Sequence, residues 1–224
     1  MATEISRVNR THRQAQRTYD QISRWYDLLE GYWEQKARAA ALRHLNVAPG
    51  QQVLEIGPGP GHSLIALARA AAPSGQVCGL DLSSGMLHVA RSKLGRAGLT
   101  LQPDLCCADA VQIPTASAVF DAVLMSFVLE LFDTPEIPQV LSECHRVLRA
   151  GGRISVVALS KAGPHSRMRD LYEWGHVRFP QVLDCRPIFV QQSLEGAGFC
   201  TRQATRISLW GLPVEVVAAE KPKS

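Results

Sequence analysis

The chain predicts an α/β protein built on a doubly wound sheet, and three observations carry that expectation. Strand-like apolar runs alternate with helical patterns along most of its length, the order that winds a parallel sheet. One run, Phe120-Asp121-Ala122-Val123-Leu124-Met125-Ser126-Phe127-Val128-Leu129, is nearly continuously apolar, as a strand covered on both faces requires. The third is Val53-Leu54-Glu55-Ile56-Gly57-Pro58-Gly59-Pro60-Gly61-His62, a buried strand entering a glycine-rich turn. Glycines at alternate positions let backbone amides approach a ligand that a Cβ would hold off. The helix that follows aims its positive N-terminal end at the same place.

The elements follow in order. Residues 14–45 read as helices, and Pro49-Gly50 turns the chain into the first strand. Strands are expected near 52–57, 76–81, 101–107, 120–128 and 152–159, and helices near 62–71, 84–97 and 137–149. Gly151-Gly152 is expected to end the last of these helices. Beyond Ser160 the pattern changes: a helix over 164–178 is broken by Pro180, and one over 188–197 is stopped by Gly198. Two alternating segments, 200–209 and 213–220, close the chain.

The turn has the spacing E-x-G-x-G-x-G, with Glu55 inside the strand. A dinucleotide fingerprint would place its third glycine where this chain has His62. The second strand ends in Asp81, about twenty residues beyond the turn, where a carboxylate accepts hydrogen bonds from ribose hydroxyls. Asp81 also stands near the start of a helix, but Ser83 can cap that helix instead. A third segment ends in Asp109-Ala110.

Five pieces, VLEIGPGPGHSL, GLDLSSGMLHVARSKL, CADAVQIP, FDAVLMSFVLEL and RVLRAGGRISVVALSK, cover about residues 50–161. On them the chain resembles the class I S-adenosylmethionine-dependent methyltransferases, within them the ubiquinone/menaquinone C-methyltransferase-like branch, with similarity also to phospholipid N-methyltransferases. The resemblance implies a Rossmann-like, seven-stranded doubly wound sheet, mostly parallel, closed by a C-terminal antiparallel hairpin from 200–209 and 213–220. It implies one methyltransferase domain over 1–224: an N-terminal helical lid (1–45), a cofactor-binding core (46–161), an acceptor-side helical cap (162–198) and the terminal hairpin (199–224). It implies S-adenosyl-L-methionine as cofactor, with Glu55 in the strand that leads into the turn. Gly57, Gly59 and Gly61 would face its methionine portion, Asp81 its ribose, Leu82 and Met86 its adenine. Asp109 would accept from the adenine amine beside Ala110, and Ser126 and Phe127 would lie by the methionine moiety. An N-terminal Tyr-Asp element closes over the cofactor in this family. Tyr19 and Tyr26, seven residues apart on one helical face, are its counterparts here, or they staple the N-terminal helix to the body.

Displacement at a sulfonium methyl carries its own leaving group, so such an enzyme mainly aligns the acceptor and excludes water. A base is required only where the acceptor must lose a proton. The segment 168–188 is rich in aromatic and cationic residues. Tyr172 and His176 share a helical face in it, and His176 is the first candidate base, Glu130 the second. Arg186 is placed to hold an anionic acceptor or to pair with Asp184. The N-terminal element and this cap depart from the quinone family's pattern. The acceptor is therefore expected to be a small or lipid-like molecule, of quinol or phenol type or a phospholipid amine.

With 224 residues, 46% hydrophobic and 20% charged, the chain has the make-up of one globular domain. A net charge of +4 does not by itself suggest nucleic acid, and no nucleic-acid partner is expected. Base methylation also usually needs an Asn/Asp-Pro-Pro-aromatic run after the fourth strand, where this chain has Ser126-Phe127-Val128-Leu129. The six cysteines lack zinc-type pairing, and no metal is expected. The expectation is a cytoplasmic monomer or homodimer. Arg7, Arg10, Arg13 and Arg17 leave open peripheral contact with an anionic membrane or a solvated face. Two rivals stand beside the enzyme: a protein that binds S-adenosylmethionine without transferring the methyl, and a NAD-dependent oxidoreductase. The oxidoreductase accounts for Gly57, Gly59 and Asp81 but not for Gly61, Asp109-Ala110 or the hairpin.

Overall fold

A computed structural model describes residues 5, 7, 14, 16–18, 20, 31–162, 167–178, 185–209 and 211–223. The sheet has seven strands: β1 (Gln52–Ile56), β2 (Gln76–Asp81), β3 (Asp104–Cys107), β4 (Phe120–Ser126), β5 (Leu148–Leu159), β6 (Cys200–Leu209) and β7 (Leu212–Glu220). Their order is β3-β2-β1-β4-β5-β7-β6. β1 to β5 are mutually parallel, and β7 runs antiparallel to both β5 and β6. The strand order reverses between β1 and β4, so a crevice opens at their carboxyl ends.

Two helical layers cover the sheet. On one face lie α1 (Gly31–Leu45) and α2 (His62–Ala71), with Leu94 of α3 (Ser84–Arg96). On the other lie α4 (Ile137–Val147) and α6 (Val190–Gly196), with Ala110 and Ile113 from the β3–β4 connection. A further helix, α5 (Arg167–Arg178), follows β5. The spacing within each helix explains its docking. α2 buries Leu64, Leu67, Ala68 and Ala71, and α4 buries Ile137, Val140, Leu141, Cys144 and Val147, one stripe of the helical period in each case. α1, which the sequence groups with the N-terminal lid segment, is a layer of the core: Ala37, Ala40, Ala41 and Leu45 are buried in it.

Several boundaries differ from expectation, three of them for a reason the backbone shows. β3 starts at Asp104 rather than 101, directly after Pro103, which has no N–H to give to the ladder. β4 stops at Ser126 because Phe127 turns to φ 55, out of the extended region. Gly151-Gly152 does not end α4, which stops at Val147. The pair lies inside β5, where the register against β4 slips between Phe120 and Ala122, and Gly151 takes φ 74 to absorb the bulge.

Candidate functional site

The glycine turn leaves β1 at the reversal of strand order. Its first residue is tied to the neighbouring strand, Gly57 N–H donating to Leu80 C=O at 2.8 Å. Gly57, Gly59 and Gly61 all have positive φ, at 63, 51 and 86. They are glycine for different reasons. A Cβ on Gly57 would stand 2.3 Å from Val128 Cγ2, so β4's continuation packs directly on the turn. At Gly59 nothing lies within 4 Å of where a Cβ would be; the left-handed backbone faces open space. Gly61 caps α2 without any side-chain hydrogen bond, leaving the first amides of that helix to whatever the space receives.

β2 brings Asp81 alongside. Its Oδ1 accepts from Ser83 N–H at 2.8 Å. Burial pushes the Asp81 carboxyl up to about 6, the charge of Asp20 pushes the same way, and the backbone amides of Ser83, Gly59 and Leu82 pull it down. Ser83 is the cap of α3, as expected, accepting from Met86 N–H at 3.1 Å. Its hydroxyl donates onward to Asp20 Oδ1 at 2.6 Å, and Gly85 N–H donates to the same oxygen at 2.9 Å. Leu82 is half-buried and Met86 fully buried. The chain then pairs back, Ala108 N–H to Asp81 C=O at 3.1 Å, which sets Asp109 and buried Ala110 next to the β2 end. Asp109 Oδ1 accepts from Val111 N–H at 3.1 Å. Cys107 Sγ lies 3.7 Å from Leu82 C=O. Partial burial, then Asp81, Cys106 and Asp20, push its thiol up.

At the end of β4, half-buried Ser126 gives way to Phe127, held by its N–H to Val157 C=O at 2.8 Å. A non-glycine residue at φ 55 is a backbone outlier of the kind found where a site is shaped. Glu55 is buried in β1 opposite Gly79 and Leu124. One end of the sheet thus collects Gly57, Gly59, Gly61, Asp81, Leu82, Met86, Asp109, Ala110, Ser126 and Phe127. Tyr19 and Tyr26 lie outside the described residues, as does Asp184.

The acceptor-side candidates are built differently. On α5, His176 is buried and Tyr172 half-buried against the core. Glu130, in a short 3₁₀ turn after β4 (Leu129–Leu131), is fully buried, and its Oε1 accepts from Leu159 N–H at 3.3 Å. Arg186 is also fully buried; it donates to Thr134 Oγ1 at 3.1 Å and to Phe132 C=O. Burial lowers its guanidinium to about 10, against the opposing pull of Asp133 and Glu130. Arg7 grips Asp133 from outside, Nε at 2.9 Å from both oxygens and Nη2 at 2.6 Å from Oδ2. Sequence reasoning missed the Asp20–Ser83 and Arg7–Asp133 ties. The one available signal was that Asp20 follows Tyr19 in a segment already marked for the site.

Residues 53–152 match a family model described as a methyltransferase domain. The chain carries a class I S-adenosylmethionine-dependent methyltransferase domain. It is 35% identical over 149 residues to the ubiquinone/menaquinone biosynthesis C-methyltransferase of Burkholderia multivorans, spanning 66% of this chain and 60% of that protein. The corresponding enzyme of Cupriavidus metallidurans is 33% identical over the same span and with the same coverage. Among solved structures, the [4+2]-cyclase SpnF superposes with a TM-score of 0.79 at 19% identity, covering 100% of both chains. A methyltransferase from Haloferax volcanii bound to its Trm112 activator gives 0.71 at 17% identity, covering 91% of this chain and 97% of that one. At those identities the superpositions establish the fold. The cofactor of a class I methyltransferase domain is S-adenosyl-L-methionine, and the turn fits it: an open cradle at Gly59, uncapped amides on α2 and a carboxylate at Asp81. Among the described residues no group of side chains could hold a metal ion, and no helix is long and apolar enough to cross a membrane.

Proposed function

We propose that the protein is a methyltransferase acting on a small or lipid-like organic acceptor of the quinol or phenol class. The observation that carries the reading is the open face of Gly59 beside Asp81, at the carboxyl ends of β1 and β2. The names of the 33–35% identical relatives support the acceptor class.

S-adenosylmethionine supplies the methyl group together with its leaving group. In this reading Gly57, Gly59 and Gly61 approach the methionine portion with backbone amides, while Asp81 accepts from the ribose. Leu82 and Met86 flank the adenine, and Asp109 and Ala110 meet its amine. Ser126, Phe127, Tyr19 and Tyr26 close the methionine end, and Glu55 supports the turn from within β1. Residues 162–198 and the N-terminal segment wall off the acceptor and exclude water. Tyr172 and His176 serve the acceptor side, His176 as the group that takes a proton from an acidic hydroxyl. Glu130 suits that task less well, because its carboxylate is fully buried and already accepts from Leu159 N–H.

The test is methyl transfer with isotopically labelled cofactor to a series of quinols and simple phenols, read by mass spectrometry, with phosphatidylethanolamine in parallel. Labelled quinol or phenol product is the expected result. Methylated phosphatidylethanolamine alone would move the acceptor to amines. Cofactor binding with no product in any arm would make the protein a binder of S-adenosylmethionine rather than a transferase. In the same assay His176→Ala should lower turnover while cofactor affinity holds.

A further inference from the structure

The N-cap of α3 is wired in an unusual way. A serine cap normally gives its lone pair to the helix and its hydroxyl hydrogen to solvent. Here the hydrogen goes to a carboxylate of the N-terminal segment, Ser83 Oγ to Asp20 Oδ1 at 2.6 Å, across 63 residues of sequence. The same Asp20 oxygen takes Gly85 N–H at 2.9 Å, so an anion sits on the positive end of α3. With its hydrogen committed to Asp20 and its lone pair to Met86 N–H, Ser83 has one orientation. Its own N–H is the donor that holds Asp81 Oδ1 at 2.8 Å.

Resting on the cofactor reading above, we propose that Asp20 is a positioning residue for the cofactor's ribose: through Ser83 it fixes the turn that aims the Asp81 carboxylate. The arrangement has a second consequence. Asp20 places a like charge beside Asp81, and among the described residues the Cys107 thiol faces both carboxylates. Accepting two hydroxyls requires ionised Asp81, so cofactor affinity falls as the pH drops through the range in which Asp81 takes its proton. The acid limb of binding therefore records the charge of Asp20.

The experiment is calorimetric titration with S-adenosylhomocysteine from pH 5 to pH 8 on the full chain. Asp20→Ala removes the hydrogen bonds accepted from Ser83 and Gly85 and should weaken binding at pH 8 by about tenfold. Asp20→Asn keeps an acceptor oxygen but not the charge. It should bind within about twofold of the parent at pH 8, with the acid limb moved to lower pH. Parent-like affinity in Asp20→Ala, or an unmoved acid limb in Asp20→Asn, would overturn the proposal while leaving the cofactor site intact. Should Asp20→Ala fail to fold, the isosteric Asn variant alone decides it. Failure of the unaltered chain to bind would instead remove the cofactor reading, and this inference with it.

Discussion

Two regions of the molecule are held by different physics. The glycine-turn end of the sheet is a backbone device: positive-φ glycines, strand ends and amides. The segment after β4 is held by a side-chain device, a knot in which Arg186 ties to Phe132 and Thr134, faces Glu130 and Asp133, and meets Arg7 through Asp133. A backbone device tolerates change wherever the backbone angles survive. A buried charge knot fails when one member goes, because its partners are left desolvated.

The sharpest way to break that contrast is Arg186→Ala. It strips the donors that reach Phe132 and Thr134 and removes a buried cation whose charge is felt by both Glu130 and Asp133. A loss of about 3–5 kcal/mol in urea unfolding is expected. A loss under about 1 kcal/mol would place Arg186 in the ordinary surface class and collapse the distinction.

Next come paired substitutions within the turn. Gly57→Ala combines φ 63 with a methyl 2.3 Å from Val128 Cγ2, and should lower stability by about 2–4 kcal/mol. Gly59→Ala meets no atom within 4 Å and should lower it by only about 1–2 kcal/mol, from the backbone angle alone. Both should lose cofactor affinity in calorimetry. Only Gly57→Ala should regain part of its stability when Val128→Ala is added. Equal losses in the two variants would mean that packing is not what separates these glycines.

That division also explains what could be read beforehand. The β4 run and the placement of Gly57, Asp81 and Asp109 at strand ends were legible because strand period and turn chemistry are written locally. Ser83 as the α3 cap was legible for the same reason. The errors at β3, β4 and β5 were local as well: Pro103, Phe127 and the Gly151-Gly152 bulge each moved a boundary by a few residues. The knot was not legible. Arg186 stands 52 residues from Thr134, and Arg7 stands 126 from Asp133, so no periodic pattern links them. Arg186 and Asp184 could be guessed as a pair only because they are close in sequence. Among the described residues the guanidinium donates to the post-β4 segment, at Phe132 and Thr134.

Asp81→Asn gives a smaller effect, and one of opposite sign. Burial raises the Asp81 carboxyl to about 6, above its unfolded value, so the folded state prefers the protonated form. The stabilisation from that proton is full below the unfolded pKa and is lost as the pH rises through about 6. At pH 8 the parent therefore carries a penalty that the amide does not. Asp81 keeps some solvent contact, so the gain expected for Asp81→Asn at pH 8 is about 1–2 kcal/mol, shrinking to nothing near pH 4. Cofactor affinity should fall in the same variant, since a charge-assisted acceptor is lost. A variant less stable than the parent at pH 8 would mean that the hydrogen bonds from Ser83, Gly59 and Leu82 outweigh desolvation.

The smallest effect should come from Arg7→Ala, although Arg7 makes three contacts with Asp133. Its side chain is 65% exposed, so solvent and salt screen the pair, and ordering a long side chain offsets most of what remains. Asp133 does not depend on it, because its carboxylate also accepts from Thr134 N–H at 2.8 Å and lies in the field of Arg186. The melting temperature should therefore stay at the parent value, and moderate salt should change neither protein. A clear drop in melting temperature at low salt would show that the Arg7 end of the N-terminal segment is part of the knot. The contrast would then lie between inner and outer charges rather than between backbone and side chain.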